Sequence, residues 1–493
     1  MTDSAVALSI VAAVVVCVIL LGLLSARGVM MDPEQYMVGG RSFGAILLWL
    51  LMAGEIYTSF TFLGAAGWAY GKGAPAFYIL CYGAVAYIIS YFLLPPIWRV
   101  ATRYHLLTGP DFFAHRYRSR ALGVIVALVG FVFLVPYVTL QLTGVQILLR
   151  VAGYGSLDAT RAVALAFLTI ALFVYTTGLR GTAWASIAKD ALVLLGVLFA
   201  GIALPIHFFG SPANVISRVM ETHPHWMTLE PGSSGMGTRW FVSTVLLTAC
   251  GFFMWPQSMA AAYSAKSDDA LRRNAIFLPL YQLMLLLIFF AGFTALLVLP
   301  GLKGPEADQS FMLVIQRYYP PWIVGFLAGA GCLAALIPAS GQLLAAASIF
   351  TKNVLGDWLQ TATSDRARMR ASRLLVLVVA VLALLFWLYE KATLVDLLLI
   401  AYNGVTQFFP AAVLAFAWRR TSAWGVCAGI VAGVIVLGVL ALAGIATVGG
   451  INAGFFALLL NAAVCVAVSL FTPAPTESHL EEFQAAAAGT AKS

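Results

Sequence analysis

Charge is what this chain has least of. Lys, Arg, Asp and Glu make up 10% of its 493 residues, against 62% hydrophobic ones, whereas an ordinary soluble domain is about a quarter charged. So few polar groups cannot cover so much apolar surface, which excludes a disordered chain and a water-soluble globule. Ligands for metal and redox chemistry are also scarce. The six cysteines (Cys17, Cys81, Cys250, Cys332, Cys427 and Cys465) lie in apolar runs without Cys-x-x-Cys or Cys/His spacing, so neither a disulfide framework nor a zinc site is supported. No phosphate-binding P-loop, no His-Glu-x-x-His and no nucleophile–base arrangement occurs. The expectation is a non-enzyme with no cofactor and no metal. A ring-forming filter repeat, which a channel would need, is missing too.

Long apolar runs are plentiful. Windows bounded by charges or turn residues give thirteen candidate spans, at about 4–24, 44–69, 76–98, 121–149, 160–179, 182–208, 239–264, 275–300, 321–351, 373–390, 393–418, 421–446 and 449–471. Each falls in the range that a helix needs to cross a bilayer. The first has no small-residue cleavage site and reads as a retained helix rather than a cleaved signal. This is an all-α polytopic membrane protein with a transmembrane domain over 1–472. The remainder, 473–493, with Glu477, Glu481, Glu482 and four alanines from Ala485, is expected to be a mobile cytoplasmic tail.

The net charge of +8 would suggest nucleic acid in a soluble protein. Here it reads as the surplus of Lys and Arg on cytoplasmic loops, with lipid as the surroundings and no nucleic-acid partner. Alternating the thirteen spans places 19 basic residues on the face of the C-terminus and 8 on the other, with Lys189 inside a span. The expected orientation is an external N-terminus and a cytoplasmic C-terminus in a bacterial cytoplasmic (inner) membrane.

Two spans carry groups that a lipid-facing helix would not. The second contains Met52-Ala53-Gly54-Glu55-Ile56-Tyr57-Thr58-Ser59, then Gly64 and Gly67. Glu55 lies about 17 Å along a span that crosses a core of about 30 Å, too deep for a short side chain to snorkel out. It is either a neutral hydrogen-bonded packing group or part of a pathway, the commoner role of intramembrane ionisable residues. The seventh span has Gly251-Phe252-Phe253-Met254-Trp255-Pro256-Gln257-Ser258, where proline dictates a kink or a gap. Paired broken helices are a pointer to a transporter's midplane site. Their spacing suggests two five-helix units, 44–208 and 239–418, after one extra N-terminal helix.

On these residues the chain resembles the sodium/solute symporter family, from about residue 35 to 420. The pieces are Tyr36-Met37-Val38-Gly39-Gly40-Arg41, Gly109-Pro110-Asp111-Phe112-Phe113 with Arg116-Tyr117, Gly178-Leu179-Arg180, Pro256, and Ala265-Lys266-Ser267. Within the family it is most similar to the bacterial monocarboxylate permease branch. The resemblance implies the LeuT-type inverted-repeat transporter fold, about 13 transmembrane helices, and uptake of a lactate-, pyruvate- or alanine-like monocarboxylate.

The departures from the family pattern matter as much. Sodium-coupled members hold the ion with backbone carbonyls that align with Gly54, Tyr57 and Ala334 and with two hydroxyls. Those hydroxyl positions fall on Ile337 and Pro338, which offer no side-chain oxygen; a shift of one turn would bring Ser340 near. A carboxylate found there in some members falls on Ser186, and three residues on stands Lys189, followed by Asp190. Either Lys189 snorkels to the cytoplasmic end of its span, or its ammonium occupies the place of sodium, countered by Asp190 or Glu55. The resemblance, so modified, implies a proton as coupling ion, with Glu55, Lys189 and Asp190 in the coupling role. The Glu-Gln pair of sugar-transporting relatives aligns with Phe60 and Thr61. That leaves Tyr57, Thr58, Thr61, Trp255 and Gln257 as substrate-binding candidates, with Met254 and Trp255 as an apolar wall. The alternatives are a sodium-coupled symporter of another small organic solute, or the membrane sensor module of a signalling system.

Overall fold

The computed structural model describes residues 2–25, 32–229, 236–361, 364–389 and 392–490. Arg27, Lys391 and Lys492, counted above for orientation, lie outside the described residues. The described chain is helical almost throughout; its strands form one small hairpin, Thr447–Val448 with Ile451–Asn452.

Apolar composition makes the helices, and short polar side chains begin them. The first, α1 (Asp3–Ser25), precedes a broken pair, α2 (Ala45–Ile56) and α3 (Ala65–Lys72). Then come α4 (Tyr78–Arg103), the short α5 (Gly109–Arg116), α6 (Arg120–Ala152) and α7 (Ala159–Leu198). A second broken pair is α8 (Thr238–Gly251) with α9 (Pro256–Tyr263). It is followed by α10 (Asp268–Val298), α11 (Pro321–Ile349), α12 (Asp365–Tyr389), α13 (Leu394–Val405), α14 (Ala423–Leu442), α15 (Ala453–Phe471) and α16 (Glu477–Ala488). Ser119, Ser267 and Ser422 each accept a hydrogen bond from the backbone N–H three residues on, capping α6, α10 and α14.

Ten helices among the described residues are long and apolar enough to cross a membrane, or twelve when each bent pair counts as one span. One of the ten runs from Ala159 to Phe209, 51 residues, which is about 76 Å and over twice a bilayer core of about 30 Å. Gly178 breaks it, at φ 58° and ψ −155°. Counting its two limbs separately would give the thirteen spans expected from the sequence. The ring of Tyr36 fills the place where a side chain at Gly178 would be, and its hydroxyl donates to the Val174 carbonyl at 3.2 Å. Two of the separate sequence pieces therefore meet. A third joins them near the first broken pair, where Phe43 N donates to Ser264 O and Lys266 N to Phe43 O.

At the centre lies α11, whose most apolar window is 89% buried. It packs on α7, α6 and α1. Small residues permit the approach: Gly325 sits on the Ala7 carbonyl and Gly329 on Val14, the spacing by which membrane helices pack closely.

The structure differs from expectation at the C-terminus. Residues 477–488 form α16, docked on the ends of α4 and α5, where a mobile tail was expected. Leu480, Phe483, Ala486 and Ala487 are buried along one face. Phe483 stacks on Phe416, Arg99 donates to Ala487 O at 2.8 Å, and Arg419 reaches Glu477 and Gln484. The apolar face recurs at helical spacing, which composition alone conceals.

Candidate functional site

The break after α2 is made by its own hydroxyls. Thr58 N bonds the Ile56 carbonyl and Thr61 Oγ1 instead of reaching back to Gly54, and Thr61 Oγ1 donates to Thr58 O at 2.8 Å. Tyr57 leaves the helix at ψ 85°, and the two limbs bend by 55°. The Gly54 carbonyl is thereby freed, and in a membrane interior such a group must find a partner.

Lys189 supplies it. Its side chain, fully buried on α7, donates from Nζ to Gly54 O at 2.7 Å and to Tyr57 O at 3.3 Å. The same ammonium forms an ion pair with Asp190 at 2.7 Å. A methyl group at Gly54 would lie 3.1 Å from both Lys189 Nζ and Ser186 Oγ, so glycine is what lets the lysine approach. Snorkelling does not describe this residue: its charge is turned inward onto the broken helix.

The second break lies across from the first. After α8, Phe252 to Trp255 leave the helix, Pro256 opens α9, and the limbs bend by 45°. Between the breaks is a narrow cavity of about 30 Å³ whose lining includes Glu55, Tyr82, Tyr137, Trp255, Gln257 and Tyr402. Aromatic rings enclose it, with Tyr137 and Trp255 centroids 4.7 Å apart and Trp255 and Tyr402 5.2 Å apart. Glu55 Oε2, Trp255 Nε1 and Gln257 Oε1 are buried without a hydrogen-bond partner among the described residues. Native interiors seldom leave such atoms unpaired, and three around one cavity mark a place for a polar ligand. The Glu55 carboxylate lies against Gly341 of α11, where any side chain would displace it.

Glu55, Trp255 and Gln257 thus line the cavity. Tyr57, Thr58 and Thr61 do not: Tyr57 donates its hydroxyl to Tyr281 O at 2.7 Å, and the threonines satisfy backbone at the break. Phe252 and Phe253 stand with Trp255 in the wall, and Met254 is buried away from it. Gly54 and Tyr57 meet Lys189, whereas Ala334, Ile337 and Pro338 are buried on α11 and bring no side-chain oxygen. The nearest hydroxyl along α11, Ser340, is engaged with Thr182 at 2.9 Å and with Ile337 O. Tyr82, Tyr137, Tyr402 and Gly341 are site residues that sequence reasoning missed.

Two mid-span breaks facing one another across a membrane bundle define a solute transporter of the LeuT-type fold. Residues 36–433 match the sodium:solute symporter family, and the chain belongs to it. It is similar to the uncharacterized symporter YhjB of Bacillus subtilis, at 42% identity over 94% of this chain and 97% of the relative. A monocarboxylate transport permease protein of Rhizobium johnstonii is 29% identical over 80% of each chain. Among solved structures, a Na+-coupled sialic acid symporter in its outward-open state superposes with TM-score 0.79, at 17% identity, covering 95% of this chain and 99% of that one.

Proposed function

We propose that the protein is a secondary active transporter that imports a small monocarboxylate together with a proton, in a bacterial cytoplasmic membrane with the N-terminus outside. The observation that carries the coupling reading is Lys189 Nζ, 2.7 Å from Gly54 O and paired with Asp190. A cation is built into the place where sodium-coupled relatives are expected to bind theirs, and Ile337 and Pro338 offer sodium nothing in exchange. In this reading the ion site is vestigial and the lysine holds the broken helix in shape permanently.

Coupling then falls to Glu55. A substrate carboxylate in this cavity would lie beside the Glu55 carboxylate. Two such charges roughly 4 Å apart repel by about 4 kcal/mol at an effective dielectric of 20. Protonating Glu55 removes the repulsion and adds a donor, so proton and anion each favour the other's binding. Trp255 Nε1 offers a second donor. The small lining, half of it aromatic, suits a short organic acid better than a sugar, which needs many converging polar groups. The relative named as a monocarboxylate permease supports the same substrate class.

The test is uptake of labelled lactate, pyruvate, alanine and acetate into proteoliposomes with proton and sodium gradients imposed separately. Uptake should follow the proton gradient and be unchanged when choline replaces sodium. A steep, saturable sodium dependence would overturn it in favour of the second reading, sodium coupling through other ligands, which the family's own description favours.

A further inference from the structure

The face opposite α16, external by the basic-residue count, holds a buried carboxylate that the central site does not use. After α10 the chain turns through Gly304–Gln309 and lies on α3. Asp308 in this turn is 2% exposed. Its Oδ2 accepts from Leu394 N, the first residue of α13, at 2.9 Å. Its Oδ1 is buried without a hydrogen-bond partner among the described residues and rests on Gly67 of α3, where a side chain would collide with it. One carboxylate therefore seals three elements: the outer limb of a broken helix, the turn, and the start of α13. Beside it lies a cavity of about 590 Å³, also lined by Gly67, Lys72, His223, Lys303 and Asp396.

For a solute to reach the central cavity from this face, α3 and the turn must part, which wets Asp308; closing strips the water away again. A buried carboxylate with an unpaired oxygen is far more costly as the anion than as the acid. Among the described residues no ammonium pairs with it. Lys72 of α3, Lys303 just before the turn and His223 line the shared cavity, while Glu306 and Arg150 of α6 line a neighbouring one. Arg317 lies further along, in helix Ser310–Tyr318. Asp396 of α13, held by the Thr393 hydroxyl at 2.6 Å, adds like charge.

We propose that Asp308 is a proton-binding site that governs closure of this face: the closed arrangement holds the neutral acid, and the open one releases the proton. Burial pushes the closed-state carboxyl up to about 7; the Leu394 N–H opposes the rise and Asp396 adds to it. Wet and open, an aspartate sits near 4. Below about 4 both arrangements carry the proton and closure is at full strength. Between there and about 7 closing takes up a proton, so its equilibrium constant falls by up to tenfold per pH unit as pH rises. Above that it levels off. The site does not depend on which ion drives the central cavity.

Hydrogen exchange on the purified protein tests this without reference to transport or orientation. Protection of amides in 65–72 and 304–318, corrected for intrinsic exchange, should drop by at least tenfold from pH 5 to 7 and then stay level. Asp308→Asn should keep the acid-side protection at every pH. If that variant does not fold, as judged by gel filtration, Asp396→Asn serves instead: its amide oxygen can still accept from Thr393, and losing the like charge should move the transition to lower pH. A wild type without the transition overturns the proposal. So does a transition that persists in Asp308→Asn or is unmoved in Asp396→Asn.

Discussion

Lys189 and Asp190 are a buried pair, and such pairs are costly to break and cheap to remove whole. Lys189→Ala leaves Asp190 uncompensated and the Gly54 and Tyr57 carbonyls unpaired, and should destabilise the protein by about 3–5 kcal/mol. The double variant Lys189→Ala/Asp190→Asn should recover part of that thermal stability but no gradient-driven uptake; recovery of both would reduce the pair to packing. Glu55→Gln should abolish accumulation driven by a pH gradient while leaving exchange between equal substrate pools, measured as counterflow at matched protein incorporation. Full pH-driven accumulation by this variant would remove Glu55 from the coupling path. These residues were legible in the sequence because a charge inside an apolar run is conspicuous. Tyr82, Tyr137 and Tyr402 were not, since an aromatic that faces a cavity and one that fills a core look alike in a chain 13% aromatic. Thr58 and Thr61 misled for a different reason: a hydroxyl near a broken helix is as useful to the freed backbone as to a ligand, and here the backbone takes it.

Among the elements, the two broken helices could be read from the runs Gly54–Ser59 and Gly251–Ser258, where small, polar and helix-breaking residues cluster in mid-span. The docking of α16 could not, because what holds it is scattered over Arg99, Arg116, Phe416 and Arg419. Its histidine, His479, bonds the Arg116 carbonyl at 3.2 Å and lies 5.5 Å from the ring of His115, which stacks on Tyr104. Burial lowers both histidines, His115 to about 4, with His479 contributing to its fall. The docked helix thus favours neutral imidazoles. Above about 6.5, the ordinary histidine value, docking is at full strength. As pH falls from there toward 4, released histidines take up protons that docked ones do not, and docking weakens. Limited proteolysis within 477–488 should accordingly accelerate from pH 7 to 5, once corrected for the protease's own pH dependence. Phe483→Ala, which removes a ring stacked on Phe416 and facing Arg116, should make the same segment cleavable already at pH 7. A large buried aromatic typically contributes about 3–5 kcal/mol. Cleavage rates indifferent to pH would mean that the histidines do not face each other in solution.

For the whole molecule, charge accounting separates the substrate classes that the cavity alone does not. At about 30 Å³ it has room for a water or two, so any organic solute requires the two breaks to move apart, and what crosses is decided by the charges that travel together. Lys189 and Asp190 form a fixed neutral pair and contribute nothing to the net charge moved. One proton on Glu55 with one monocarboxylate is then an electroneutral cargo. Each pH unit should support tenfold accumulation, about 1.4 kcal/mol, and the membrane potential should support none. A zwitterion such as alanine carried with the same proton would move one positive charge. A potential of 100 mV would add about 2.3 kcal/mol, roughly fiftyfold, to its accumulation. Proteoliposomes clamped with valinomycin and potassium, at fixed pH on both sides, distinguish the two. Lactate or pyruvate uptake indifferent to potential, with pH-driven accumulation intact, is the expected result. Strong acceleration of lactate uptake by an inside-negative potential would require at least one cation beyond the single proton, and the Glu55 scheme would fail as a complete account of coupling.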